Sequence, residues 1–482
     1  MTESLRTRTG KFVTGPQTAV APYSLTSPIP GLLSIALAAI FAVWYVPDYV
    51  VPEDSLFLPA AILTAGLLTP VAVRIRWDML SVLRVENALM LGIVYWILFD
   101  LLQCAYPMEL VSQSHVQWAF ASIGLFAFTL WLGASGRGWS LPRQVYNATK
   151  IPLTSEVLMS AILVSFTLGM LSFAIPSGFD PLVMYKGLVS DRWSAPWARG
   201  DLGGADAFVD HLQYFCYIIP ALCVLLSRRL GWFHPQVVFA ICLAALISLF
   251  LAQSGGRRIV GVTVGAGLFT WLICQRVLTP KVLFGSIVSV AALLIFMQAM
   301  LTYRHGGFQD YVNGDQVENK YSAHFHVDDN FLRLSQIIMI FPDRHDYVYH
   351  GPLYHALCLP IPRLFWAGKP LNPGFSLPEL IGRVGASLSS SIIGELYASL
   401  GIIAVALGGF VMGRLAGMWN KCLQLNTGEG RALMHSLGLM ALFAGLRSVQ
   451  ALVQMSYIVL AWIAIAAIVN KIQASRAQMV RR

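Results

Sequence analysis

The feature that most constrains this chain is the recurrence of uninterrupted apolar runs, each about as long as the roughly 20 residues an α-helix needs to cross a bilayer. They fall near residues 30–47, 55–73, 86–104, 115–135, 153–175, 207–227, 234–253, 259–276, 282–303, 391–416, 432–450 and 451–470, about twelve in all. With 56% hydrophobic and 12% charged residues among 482, the chain has too little polar surface to solvate a globule of this size in water. The expected fold class is an all-α integral membrane protein, because a backbone in lipid must satisfy its own hydrogen bonds and a helix does so within one segment. No soluble repeat, low-complexity tract, GxGxxG or P-loop pattern stands in a usable context.

Orientation follows from Lys and Arg, which resist translocation and stay cytoplasmic. Arg6, Arg8 and Lys11 precede the first run, and Arg74, Arg76 and Arg84 follow the second. The same rhythm continues through Arg143 and Lys150, Arg228 and Arg229, Arg414 and Lys421, and ends with Lys471 and Arg482. Both termini are expected in the cytoplasm. The gaps at 48–54 and 105–114 carry Asp48, Glu53, Asp54 and Glu109 without a cation, as outer loops should. Residues 1–28 lack an apolar core followed by a small-residue cleavage site, so no cleaved leader is expected. The net charge of +9 is mostly this topology signal, and no nucleic-acid partner is implied. Of the seven cysteines only Cys104 and Cys358 fall on the outer side, which makes no disulfide framework.

The chain then divides into a cytoplasmic tail at 1–28, nine spans within 29–303, a large outer loop at 304–390, three spans within 391–471 and a second tail at 472–482. A shorter outer loop lies at 176–206. Function is expected in these two outer loops. In the larger one, Phe331 to Phe341 is apolar but too short to span, and reads as a half-buried interfacial helix. The piece from Gly351 to Trp366 is broken by Pro352, Pro360 and Pro362, and reads as a loop dipping toward the membrane surface.

Against so regular a charge pattern, the informative residues are cations on the outer side: Arg257 and Arg258 in the turn Ser254-Gly-Gly-Arg-Arg258, Arg304, Arg363, Lys369 and Arg447. Taken singly, each is equally well read as a side chain reaching for lipid headgroups. Taken together at one depth, they match what grips a diphosphate, since each guanidinium fork donates two parallel hydrogen bonds to phosphate oxygens. Asp100, Asp210, His211 and Glu395 fall near the same level, where a carboxylate marks either function or a structural partner for Arg. Six histidines sit in the long loop, but His324 and His326 have no third ligand at a recognised spacing, so neither a metal nor another cofactor is expected.

Three stretches together carry a resemblance: the Ser254-Gly-Gly-Arg-Arg258 turn, Ile361-Pro-Arg-Leu-Phe-Trp-Ala-Gly-Lys-Pro370, and Gly394-Glu-Leu-Tyr-Ala-Ser-Leu-Gly401 at the start of a span. Over roughly residues 207–450 the chain resembles the oligosaccharide repeat-unit polymerases, also called O-antigen polymerases or Wzy-like proteins. The spacing of Arg192 to Gly203 and of Arg363 to Gly374 is similar to a paired Arg-x10-Gly pattern in that family. The resemblance implies a GT-C-like membrane fold in the bacterial inner membrane. It also implies an enzyme that joins undecaprenyl-diphosphate-linked repeat units of O-antigen, capsule or exopolysaccharide on the periplasmic face.

On that resemblance Arg257, Arg258, Arg304, Arg363, Lys369 and Arg447 would hold the diphosphate, with Arg258 also stabilising the departing charge. Glu395 or His211 would serve as base toward the acceptor hydroxyl, and Arg192, Trp366 and Tyr397 would contact the glycan. Expected partners are the lipid-linked oligosaccharide, membrane lipid, and a flippase and chain-length regulator of the same pathway. A ligase-like enzyme would use the same donor with another acceptor. A transporter should show symmetric halves and polar groups at mid-membrane, whereas here the polar groups gather at the outer rim.

Overall fold

Among the described residues every regular element is a helix. The structure, a computed structural model, describes residues 27–48, 55–105, 111–136, 138–191, 193–198, 206–253, 256–275, 278–312, 325, 327–361, 363, 365–383 and 388–481, with the backbone alone at 206–208, 301–312, 476–477 and 480–481. The principal helices are α1 (Ile29–Trp44), α2 (Phe57–Trp77), α3 (Val85–Leu102), α4 (Gln113–Ser135), α5 (Ser155–Ala174), α6 (Asp206–Cys216), α7 (Ile219–Leu230) and α8 (Pro235–Gln253). There follow α9 (Arg257–Ile273), α10 (Pro280–Val312), α11 (Asn330–Ile340), α12 (Gly351–Cys358), α13 (Ser391–Gln424), α14 (Gly430–Gly445) and α15 (Val449–Arg481).

Nine of the described helical stretches are long and apolar enough to cross a membrane, which makes this a multi-pass membrane protein. Helices occupy the other three expected positions too, but α1, α9 and α14 have only 16, 17 and 16 residues. The reason for α9 is local: its first turn is Arg257 and Arg258, so the apolar run starts two residues late. The reason for α14 is packing. Every residue of it except Phe443 is buried, so its neighbours are protein rather than lipid. At the other extreme, only 11% of the apolar window of α10 is buried, and this helix stands at the periphery.

Three features depart from the expectations above. Helix α10 does not stop at Arg304 but runs on through it to Val312. Helix α11 is not half-buried: every residue except Met339 is buried, with the Phe331 ring tilted against Phe120 of α4 at 4.7 Å. Its apolar side chains point all round the helix, as a core helix requires, and its polar ones pair within the protein, Arg333 donating to Gln336 at 2.9 Å. The segment from Gly351 begins as a true helix, because Pro352 stands in the first turn, where it lacks no intrahelical bond, and Pro360 follows the end. Leu353, Leu357 and Phe365 remain exposed there, and Cys104 and Cys358 are both free thiols.

Helix α13 is broken at Leu400 and Gly401, the glycine taking φ +60° and ψ −147°, a conformation open essentially to glycine alone. The break is compensated. The carbonyls of Ala398 and Ser399 accept from the N–H groups of Val348 and Tyr349 at 2.9 Å each, so the loop replaces the lost helical donors.

Below the break α13 lies against α4 with backbones nearly touching, as helices in lipid do when small residues line the contact. A Cβ on Gly409 would stand 2.5 Å from the Phe126 carbonyl oxygen, and one on Gly413 would collide with the Leu130 carbonyl. Backbone cannot rotate away as a side chain can. Gly413→Val is therefore expected to cost about 1–3 kcal/mol and to lower the unfolding temperature of the protein in detergent. An unchanged midpoint would show that the two helices separate without cost.

Candidate functional site

The site lies where the ends of α3, α9, α14 and α15 meet α6 and the part of α13 before its break. Arg257 and Arg258 open α9, placing two cations at the helix end whose dipole already favours anions. Consecutive residues of a helix diverge by about 100°, so the two side chains part. Arg257 donates to the Val327 carbonyl at 3.1 Å and lies 3.6 Å from the Asp328 carboxylate. Arg258 reaches the Gln454 side-chain oxygen on α15 at 3.4 Å. Arg447, in the short turn between α14 and α15, binds the other oxygen of Asp328 at 2.7 Å.

Asp328 is thus a carboxylate shared by two guanidiniums, and its own position is set from α3. The carboxylate of Asp100 accepts from the N–H groups of Val327 and Asp329 at 3.0 and 3.3 Å, and the Asn330 amide donates to the Trp96 carbonyl at 2.7 Å. Residues 327–329, with Asp329 in the left-handed region at φ +52°, are pinned on both sides.

Glu395 is buried in the part of α13 before the break with each oxygen engaged: one accepts from Ser390 Oγ and the other from the N–H of Val449, both at 2.7 Å. That second bond caps α15 by satisfying a donor of its first turn. Ser389 adds a bond to the Arg447 carbonyl at 3.3 Å, so the start of α13 and the turn bearing Arg447 form one unit.

These groups border a single cavity of about 900 Å³, within the range that holds a small ligand. Arg257, Arg258, Arg447, Asp328 and Glu395 line one part of it. Below them the wall is apolar, built from Ile259, Val262 and Phe269 of α9 and from Leu293, Leu294 and Met297 of α10. From Arg258 to Phe269 this wall descends roughly 16 Å along the helix axis. Tyr95 and Phe443, stacked at 6.2 Å, close another side. A cationic end joined to an apolar slot can hold an amphiphile with an anionic head.

Of the residues singled out in the sequence, Arg257, Arg258, Arg447, Glu395 and Asp210 meet at this cavity. His211 does not line it; its ring lies beside Tyr457 at 5.8 Å and Tyr214 at 6.0 Å. Arg363 and Lys369 are not brought to it either. Arg363 donates to the carbonyls of Lys369 and Pro370, and Lys369 to those of Leu359 and Ile361, all within 3.1 Å, so the two cations close their own loop. They also act on a neighbour. Burial, then Lys369 and Arg363, hold the His355 imidazole below its usual range. Trp366 meets Tyr354 edge-on at 6.3 Å, and Tyr397 packs half-buried on the loop behind the break in α13. Arg192 and Gly203 lie outside the described residues, as do Ser254, Gly255, His324 and His326, and Arg304 is described by its backbone alone.

Sequence reasoning passed over Asp328. The signal was there: Asp328, Asp329 and Asn330 form an acidic and polar step directly before the apolar Phe331–Phe341 run. Comparison of the chain with protein-family models, with curated proteins and with solved structures found no match.

The shared carboxylate makes a measurable claim about coupling. Asp328→Ala leaves two guanidiniums facing each other, while Arg447→Ala leaves Asp328 its partner Arg257. A double-mutant cycle on thermal unfolding is expected to return a coupling energy of about 1 kcal/mol or more between Asp328 and Arg447. Additive effects would mean that the ion pair is not maintained in the protein.

Proposed function

We propose that this protein is a membrane glycosyltransferase of the O-antigen polymerase kind, joining lipid-diphosphate-linked oligosaccharide units at the periplasmic face of a bacterial inner membrane. In this reading the chain crosses the membrane about twelve times in a GT-C-like arrangement, with both termini in the cytoplasm and residues 304–390 outside. The observation that carries it is the convergence of Arg257, Arg258 and Arg447 at one end of a cavity whose other wall is apolar and formed by the peripheral α10. An undecaprenyl diphosphate has this division of chemistry: two phosphates for guanidinium forks, and a hydrocarbon chain that can enter from lipid past α10.

The reaction forms a bond between an acceptor hydroxyl oxygen and the anomeric carbon of the donor, and breaks the bond from that carbon to the diphosphate oxygen, which leaves with the electron pair. The hydroxyl proton passes to a base. Charge grows on the departing diphosphate, so arginines already fixed by Asp328 and Gln454 stabilise it without reorganising. With both oxygens of Glu395 accepting from Ser390 and Val449, its part in this scheme is to hold the Arg447 turn in place. The partners that follow are a lipid-linked oligosaccharide, surrounding lipid, a flippase that supplies the substrate and a regulator of chain length. That the polar groups lie toward the ends of the bundle rather than midway supports an enzyme over a transporter.

The test is complementation of a deletion strain with Arg258→Ala and Arg258→Lys, reading polymer yield and length, lipid-linked single repeats and membrane abundance. Alanine should lower turnover about a hundredfold or more, with single repeats accumulating on the lipid, because a charge-assisted donor to the leaving group is lost. Lysine keeps the charge without the fork and should restore only part. Polymer at the unsubstituted level from Arg258→Ala would remove the diphosphate reading.

A further inference from the structure

The arginines and the apolar slot account for two walls of the cavity and leave the third unexplained. That wall is formed by α6 and α15. Asp210 and Gln213 stand three residues apart on α6, and Gln450 and Gln454 four apart on α15, spacings that put side chains on one helix face. All four line the cavity. Polar side chains within membrane helices are costly and are kept where they do something. Gln454 is used by Arg258, and Gln213 accepts from the Tyr217 hydroxyl at 3.1 Å, but neither contact explains why the whole face is polar.

At the same wall Trp193 lines the cavity while 67% exposed. Its loop is fixed. The Asp191 carboxylate accepts from the Trp193 N–H at 2.8 Å, and the Gln253 amide donates to the Ser190 and Asp191 carbonyls at 3.4 and 3.3 Å. The neighbouring Trp197 donates to Gln253 at 2.8 Å and packs edge-on against Phe173 at 5.5 Å.

Phosphate needs cations, and a hydrocarbon chain needs neither amides nor a carboxylate. Amides offer a donor and an acceptor together, which matches the alternating donor and acceptor character of hydroxyl groups, and an indole face matches the apolar face of a sugar ring. We propose that this wall is a sugar subsite beside the diphosphate, with Trp193 as its stacking face and Asp210, Gln213 and Gln450 as hydroxyl partners. The assignment rests on the arginine cavity being the lipid-diphosphate site, and it adds the residues that choose the glycan.

The experiment uses the purified full-length protein in detergent and two probes. One is the phosphate-free oligosaccharide released by mild acid from the lipid-linked glycans of cells that make the protein, and the other is undecaprenyl diphosphate without sugar. Trp193→Ala and Gln450→Ala should each weaken oligosaccharide binding about tenfold, followed by calorimetry or saturation-transfer NMR, and should leave undecaprenyl diphosphate binding unchanged. Trp193→Phe should retain most of the oligosaccharide affinity, which separates stacking from misfolding. Oligosaccharide binding that is absent from the unsubstituted protein, or equal in both alanine variants, overturns the subsite. Undecaprenyl diphosphate binding that is indifferent to Arg258→Ala would instead overturn the diphosphate site, so the two failures are told apart.

Discussion

The arrangement at the cavity depends on one carboxylate held between two guanidiniums. Arg257 opens α9 and Arg447 follows α14, two helices that pack on each other, and like charges brought together in a poorly hydrated place repel. Asp328 makes their approach possible by binding both, at 3.6 and 2.7 Å. Its placement in turn needs Asp100, whose carboxylate accepts from the N–H groups of Val327 and Asp329 on either side of it. One carboxylate therefore shapes the loop and the next shapes the arginines.

The other end of the bundle has the same ingredients and a different outcome. Glu86, fully buried, accepts from Arg74 at 3.0 Å and Arg84 at 2.9 Å, and its second oxygen takes the Asn420 amide. Asn420 returns its carbonyl to the Val85 N–H at 2.9 Å, and His435 of α14 meets the Leu83 carbonyl at 2.8 Å. Arg74 also lies 3.9 Å over the Trp131 ring. That network ties α2, α3, α13 and α14 together and borders no part of the cavity. Breaking a buried pair of this kind leaves an uncompensated charge, so it serves as a clasp. What distinguishes the Asp328 end is the open volume beside its arginines.

Much of the helical framework was legible, because the length of an apolar run is a local property and lipid demands about 20 residues of it. The cations of the cavity were legible for the opposite reason: Arg257, Arg258 and Arg447 violate a charge pattern that nearly every other gap obeys. What was not legible is partner choice. Arg363 and Lys369 violate the same pattern, yet they bond to carbonyls six to ten residues away in their own loop. Asp328 is positioned through Val327, whose N–H binds a residue 227 positions earlier in the chain, and Glu395 by an N–H 54 positions later. No spacing rule reports such contacts. The core burial of α11 escaped for a related reason, since an apolar stretch of 11 residues fits an interface or a core equally well until its neighbours are known.

The break in α13 ties these threads together. A continuous helix through Leu400 would satisfy the carbonyls of Ala398 and Ser399 internally and leave Val348 and Tyr349 without acceptors. With the break, the loop after α11 is stitched to the part of α13 that precedes it. That part carries Glu395, which caps α15, and Ser389 just before it, which binds the Arg447 carbonyl. Residues 327–340 enter the same assembly from the other side through Asp328. Arg447 is thus held by its side chain from the loop and by its backbone from α13, two supports that share no residue. A cation fixed in both ways cannot swing toward lipid headgroups, and this restraint separates the cavity's arginine from one that merely snorkels.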